Sequence, residues 1–217
     1  MSIESSIRQL KQDLPSTVKL VAVSKFKSAE DIMEAYRAGQ RTFGENRPQE
    51  LAAKAKALPD DIEWHFIGHL QTNKIKQVLP FASLIESVDS ERLLAGIDKA
   101  ARASGMVKDI LLEVHIASES SKQGFSPEEV LELAGRIGEY RGVRLRGVMG
   151  MATFTGDMEQ VRQEFRSLKA VSERLKFIPG CDQISMGMSE DWPVAVEEGT
   201  TIVRIGSAIF GKRDYTK

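Results

Sequence analysis

The sequence predicts an α/β fold, a single-domain TIM (β/α)8 barrel over residues 1–217 with one extra N-terminal helix. Three observations carry this prediction. From Val18 onward, short apolar and β-branched runs alternate with longer stretches of helical periodicity, the pattern of repeated βα units around a parallel sheet. About eight such units fit into 217 residues, between the lower end (about 200) and the typical length (about 250) of such barrels. The first strand is not followed by GxGxxG or a Walker-type GxxxxGK turn, which an open nucleotide-binding sheet would carry there.

The elements follow in order. The charged segment Met1 to Leu14 supplies the extra helix, and the first strand covers residues 18–25. The next helix opens with Ser28 as N-cap and Asp31 three residues on, a capping-box spacing, and should end at Gly39. A strand over 41–46 precedes an Ala/Lys-rich helix to Leu58, after which Pro59 and two aspartates make the turn. Residues 63–68 form the third strand, 73–79 a helix, 83–88 the fourth strand, and Ser90 caps a helix reaching Ser104-Gly105. The fifth strand, 109–116, is the clearest. Ser126-Pro127-Glu128-Glu129 combines an N-cap, a first-turn proline and early carboxylates, all suited to a helix start. A sixth strand over 143–153, an amphipathic helix over 157–176, a seventh strand over 182–186, a short helix to Gly199 and an eighth strand over 201–206 complete the series.

Composition narrows the function classes. Thirty Lys and Arg against 31 Asp and Glu give a net charge of −1, so no global basic field exists to hold nucleic acid or an anionic membrane. No stretch of about 18 consecutive apolar residues occurs, and no signal-peptide core is present. The lone Cys181 cannot form an internal disulfide and has no neighbour expected to lower its pKa, which fits a reducing, cytoplasmic setting. His65, His69 and His115 fall on different segments without i,i+4 spacing, so no metal site is expected. No long exposed apolar face stands out, which favours a monomer.

Barrel enzymes build their sites at the C-terminal ends of the strands. Those ends carry Lys25, Asn46, His65, Glu86, Glu113, Ser185, Gly187, Arg204, Gly206 and Ser207. Lys25 closes an apolar strand, where partial desolvation favours the neutral amine that attacks an aldehyde; position alone leaves open a lysine that snorkels to solvent. The loops Ser185-Met186-Gly187-Met188-Ser189 and Gly206-Ser207 stand where such barrels commonly hold phosphate, although glycines also serve as ordinary turn residues. Arg204, flanked by Val203 and Ile205, calls for an acceptor: Glu86, Glu113, a ligand, or solvent at the strand end. The basic clusters Lys54-Ala55-Lys56 and Lys74-Ile75-Lys76 read as solvated helix faces.

Several long strings extend this reading. Ala22-Val23-Ser24-Lys25, Phe43-Gly44-Glu45-Asn46, Trp64-His65-Phe66-Ile67-Gly68-His69-Leu70-Gln71-Thr72-Asn73-Lys74, Ser185-Met186-Gly187-Met188-Ser189 and Val203-Arg204-Ile205-Gly206-Ser207-Ala208-Ile209-Phe210-Gly211 resemble the YggS/PROSC family of pyridoxal phosphate homeostasis proteins, from the first strand to the eighth. The resemblance implies a fold-type III barrel, similar to the N-terminal domain of alanine racemase, that holds pyridoxal 5′-phosphate (PLP). It implies Lys25 as the Schiff-base lysine, Asn46 beside the ring substituents, and Ser185, Gly187, Gly206 and Ser207 as the phosphate cup. Arg204 is implied near the pyridine ring, with His65 and Met186 lining the pocket. Ser207 stands where many members have threonine and keeps the hydroxyl; Phe26 follows the lysine where threonine is common.

The implied role is storage and delivery of PLP, with PLP-dependent apo-enzymes as partners and an indirect effect on amino-acid metabolism. The alternative is an amino-acid racemase of the alanine racemase type. That chemistry needs acid/base groups on both faces of the substrate, and the lysine supplies one. The sequence stops at Lys217, soon after the last strand motif, so the β-domain that carries the racemase's tyrosine is expected to be absent. An arginine beside the pyridine nitrogen also disfavours its protonation and weakens the ring as an electron sink, a feature the racemase shares. A phosphosugar-type barrel enzyme without cofactor is the third class, and visible absorption separates it from the other two.

Overall fold

Alternation of side chains along each strand organises the molecule, because in a closed sheet one face must fill the barrel and the other must meet the helices. The computed structural model describes residues 2–119 and 123–211. Its strands are β1 (Lys19–Val23), β2 (Thr42–Glu45), β3 (Glu63–Phe66), β4 (Ala82–Val88), β5 (Lys108–Val114), β6 (Val143–Gly150), β7 (Gln183–Ser185) and β8 (Ile202–Ile205). They pair in parallel in sequence order and close β8 onto β1, with Val21 opposite Arg204. The predicted barrel is therefore present.

Val21, Leu84, Leu111, Met149 and Ile202 form the dry plug inside the barrel. Their sequence neighbours Leu20, Ala22, Ile110, Leu112, Val148 and Val203 belong to the larger core between sheet and helices. Two residues beyond the plug, the same parity turns Glu86, Glu113, Met151 and Arg204 toward the barrel mouth.

The helices are α1 (Ile3–Asp13), α2 (Ala29–Arg37), α3 (Pro48–Ala57), α4 (Ile75–Val78), α5 (Glu91–Ala103), α6 (Pro127–Gly135), α7 (Met158–Glu173), α8 (Trp192–Glu197) and α9 (Ser207–Phe210). Local chemistry explains several starts. Ser28 and Asp31 make the reciprocal capping box of α2, and Ser126 and Glu129 make that of α6. Helix α1 buries Ile7 and Leu10 and packs against α2 and α9, which covers the seam where β8 meets β1. No helix among the described residues is long and apolar enough to cross a membrane.

Most boundaries differ from expectation by one to three residues. The largest difference is the helix expected over 73–79, which is a single 3-10 turn (Thr72–Lys74) followed by the one-turn α4. Strand β5 stops at Val114 because the chain returns: Phe125 N–H donates to the Glu113 carbonyl and His115 N–H to the Phe125 carbonyl. Strand β6 stops at Gly150, and residues 151–153 become the rim of the cleft described below.

Gly147 is the tightest backbone approach in the barrel. It has φ +151°, and a Cβ there would lie 1.8 Å from the Gln183 carbonyl oxygen of β7. Gly147→Ala must open the β6–β7 ladder, so its unfolding free energy should fall by about 3 kcal/mol or more, the upper end for single substitutions. Denaturant titration checks this.

Candidate functional site

The strand ends and their loops enclose a cleft of about 520 Å³ at the barrel mouth. Lys25, Asn46, Arg204, Gly206 and Ser207, all expected at the site, line it. So do Lys27, Ile67, Met151, Phe154 and Ser189, which the motif reading had not placed among the site residues.

Lys25 is half-buried in the turn that follows β1. Asn46 follows β2, and its side-chain oxygen is buried without a hydrogen-bond partner among the described residues. The backbone around it is tightly held: a Cβ on Gly68 would stand 2.3 Å from the Asn46 carbonyl oxygen, so only glycine lets the loop after β3 close on it.

Beneath the cleft lies a polar chain built from four strands. Arg204 of β8 donates through Nη1 to Ser185 Oγ at 2.5 Å and through Nη2 to the Gly150 carbonyl at 3.0 Å. Ser185 Oγ–H in turn donates to Glu86 Oε2 at 2.5 Å, and the other oxygen of Glu86 meets His65 Nδ1 at 2.5 Å. Arg204 Nη1 and Glu86 Oε2 are 3.8 Å apart. All four side chains are buried.

Burial alone would raise the Glu86 pKa, but the His65 hydrogen bond, the charges of His65 and Arg204 and the Ser185 hydroxyl outweigh it. The net effect holds the carboxyl below its ordinary range. Burial works against the Arg204 charge too, opposed by Glu86, Glu113 and Asp191. A buried guanidinium stays protonated, so Arg204 and Glu86 form a compensated pair. Of the acceptors that the sequence left open for Arg204, Glu86 is the one engaged, through Ser185.

The loops after β7 and β8 meet at Ser189. Its hydroxyl accepts from the N–H groups of Gly206 and Ala208 at 3.4 Å each. Asp191 takes the Met188 N–H at 2.5 Å. Gly187, at φ +94°, lets this loop pass so close to α8 that a Cβ would lie 2.6 Å from the Ala195 Cβ, and its carbonyl receives the Arg204 N–H. Ser185 and His65 therefore lie below the cleft rather than on its wall. Met186 is fully buried in the layer between barrel and helices and does not line the cleft. The strand parity that turns Ser185 inward turns Met186 outward.

One expectation is overturned outright. Lys54 is not a solvated helix-face residue: its side chain is only 12% exposed and its ammonium pairs with Glu45 at 2.7 Å and Glu50 at 3.1 Å. The Glu50 to Lys54 spacing was a readable i,i+4 signal for an ion pair, but periodicity could not show that its partner Glu45 is buried. Ser189 was visible in the Ser185–Ser189 string; which serine faces the cleft is decided by loop geometry. Cys181 is buried and its thiol is pushed up to about 11, by burial first and then by Asp182, so it is no thiolate nucleophile. No group of three or more metal-ligating side chains occurs among the described residues.

The barrel and its mouth define a class. The model of the alanine racemase N-terminal domain family matches residues 1–214, and the chain belongs to that family. Alanine racemase from Bartonella henselae with covalently bound pyridoxal phosphate shares the fold at TM-score 0.76 and 17% identity, covering 99% of this chain and 60% of that one. Closer relatives specify the branch. The pyridoxal phosphate homeostasis protein of Aquifex aeolicus strain VF5 is 42% identical over 200 residues, 91% of this chain and 88% of the relative. PipY of Synechococcus elongatus PCC7942, in a structure with PLP bound, superposes at TM-score 0.88 with 35% identity, over 97% of this chain and 100% of that one. As its motifs implied, the chain is a member of the pyridoxal phosphate homeostasis protein family.

Glu113 gives the site a measurable pH signature. Burial first, and the Asp89 charge second, raise its pKa from 4.5 to about 7, against the opposing charges of Arg204 and His69. A carboxyl whose folded pKa lies above its unfolded value contributes stability that is present below about 4.5 and lost as pH rises through about 7. Glu113→Gln, which cannot ionise, should therefore gain in melting temperature over wild type above pH 7 and lose that gain below pH 4.5. Thermal unfolding of both proteins across this window provides the check.

Proposed function

We propose that the cleft binds PLP reversibly, with Lys25 as the residue that bonds to it, and that the protein stores and delivers the cofactor rather than turning over substrate. The observation that carries this reading is the meeting in one cleft of a half-buried lysine, a buried arginine, an unpartnered amide oxygen on Asn46 and the Ser189–Gly206–Ala208 junction.

This donor set fits a phosphorylated pyridine aldehyde. Lys27 and Arg204 supply positive charge at the mouth, and Lys25 supplies the amine that bonds to the aldehyde. The N–H groups of Gly206 and Ala208, engaged only at 3.4 Å by Ser189, together with the hydroxyls of Ser189 and Ser207, suit phosphate oxygens. The Asn46 amide suits a ring hydroxyl, since an orphaned buried amide oxygen gains most from a new partner. PLP, when bound, supplies an electrophilic aldehyde and an electron-withdrawing ring. Ser185, Glu86 and His65 hold the Arg204 side chain in one place, and Gly187 shapes the loop beside it. Ile67, Met151 and Phe154 give one side of the cleft an apolar lining.

Storage is favoured over racemisation by the titratable groups of the lining. Among the described residues, the titratable groups lining the cleft besides Lys25 are Lys27, Glu190, Asp191 and Arg204, with no tyrosine among them. Lys27 is bonded to the Phe210 carbonyl and Asp191 to the Met188 N–H. A racemase needs a second acid/base group facing the first across the substrate; with Lys27 and Asp191 held in these bonds and Arg204 paired with Glu86, only Glu190, exposed on the loop after β7, is left among the described lining groups. Within this reading the setting is cytoplasmic and the recipients are PLP-dependent apo-enzymes.

Three outcomes are expected. Borohydride treatment after incubation with PLP should fix the label on the peptide containing Lys25; a label elsewhere, or retained in Lys25→Ala, rejects the assignment. Arg204→Gln and Ser207→Ala should weaken PLP affinity by about tenfold to a hundredfold each, the value of one hydrogen bond to a charged group (about 1.5–3 kcal/mol), which titration measures. A chiral assay over L-amino acids should show racemisation far below ordinary enzyme rates of about 1–1000 per second.

A further inference from the structure

We propose that the half-buried pair Lys54–Glu50 is a positioning device for Lys25, which clamps the backbone on both sides of that residue; this rests on the reading of Lys25 given above. The turn Ser24 to Lys27 is closed by Lys27 N–H donating to the Ser24 carbonyl at 3.0 Å. Lys54 Nζ donates to that same carbonyl at 2.8 Å, immediately before Lys25. Glu50 Oε2 accepts the Phe26 N–H at 2.8 Å, immediately after it. Lys54 and Glu50 are themselves joined at 3.1 Å. Both peptide groups that flank Lys25 are thus tied to one ion pair on α3.

The turn needs such support. Phe26 has φ +63°, the one non-glycine residue with positive φ among the described residues, a conformation that costs energy and persists only where the surroundings impose it. Arg47 adds to the imposition, with its guanidinium 4.2 Å from the Phe26 ring centre and 3.7 Å from Glu50. The other end of the clamp is anchored in the sheet. Lys54 reaches the fully buried Glu45 of β2 at 2.7 Å, and Ser24 Oγ donates to the same Glu45 oxygen at 2.6 Å. Burying an ammonium and a carboxylate here is costly, and the arrangement they hold is the placement of Lys25.

The step that placement would serve is a condensation: the neutral Lys25 amine would give up both its N–H protons to the aldehyde oxygen of PLP, which would leave as water as a C=N bond replaces the C=O bond. A clamp on the backbone favours that bond without adding a contact to ring or phosphate. Two probes separate the roles. PLP can bond to Lys25, whereas pyridoxine 5′-phosphate, with a hydroxymethyl group in place of the aldehyde, cannot.

In wild type, PLP should bind more tightly than pyridoxine 5′-phosphate. In Lys54→Met and Glu50→Ala that preference should fall by about tenfold or more, with affinity for pyridoxine 5′-phosphate held within about threefold. Glu50→Gln, which keeps an oxygen for the Phe26 N–H, should retain most of the preference. Equal weakening of both ligands, or an unchanged preference, overturns the proposal. Should Lys54→Met fail to fold because Glu45 loses its cation, Glu50→Ala and Glu50→Gln decide the matter alone. Wild type that shows no preference for PLP refutes the role of Lys25 itself, and is thereby distinguished from failure of the clamp.

Discussion

A guanidinium inside a closed barrel constrains everything else at the mouth. Strand register puts Arg204 two residues above Ile202 on the inner face of β8, at the floor of the cleft and only 5% exposed. Glu86 supplies the countercharge from β4, Ser185 carries the hydrogen bond between them, and His65 satisfies the second carboxylate oxygen. Removing any one member leaves a buried polar group without its partner, which costs more than the bond itself is worth. Four strands, β3, β4, β7 and β8, are thereby locked together at the height where the cleft begins.

Above that floor the site is assembled from short loops, each with its own local reason for its shape. Gly68 lets one loop close on Asn46, Gly187 lets another pass over α8, and Phe26 is forced into a left-handed conformation beside Lys25. The division suits a protein that captures and releases a small anion. A rigid charged floor sets orientation, while hydroxyls and backbone N–H groups at the rim make individually modest contacts that reversible binding requires.

Much of this was legible in the sequence because βα alternation, capping boxes and strand-end polar residues are local signals. Ser28 with Asp31 and Ser126 with Glu129 announced α2 and α6, and the strand ends delivered Lys25, Asn46, Arg204, Gly206 and Ser207 to one cleft. What stayed hidden depends on tertiary contact. Lys54 looked like a surface lysine because nothing local shows that Glu45 lies beneath it. The choice between Ser185 and Ser189 turned on a loop path, and the outward direction of Met186 on where β7 ends.

Transfer of the cofactor tests the central claim most directly. The protein is loaded with PLP, freed of excess ligand and mixed with a cofactor-free aminotransferase while visible absorption and aminotransferase activity are followed together. The account predicts that the absorption leaves this protein as the aminotransferase gains activity, with no amino acid consumed by this protein alone. Retention of the cofactor, with the aminotransferase left inactive, would contradict it.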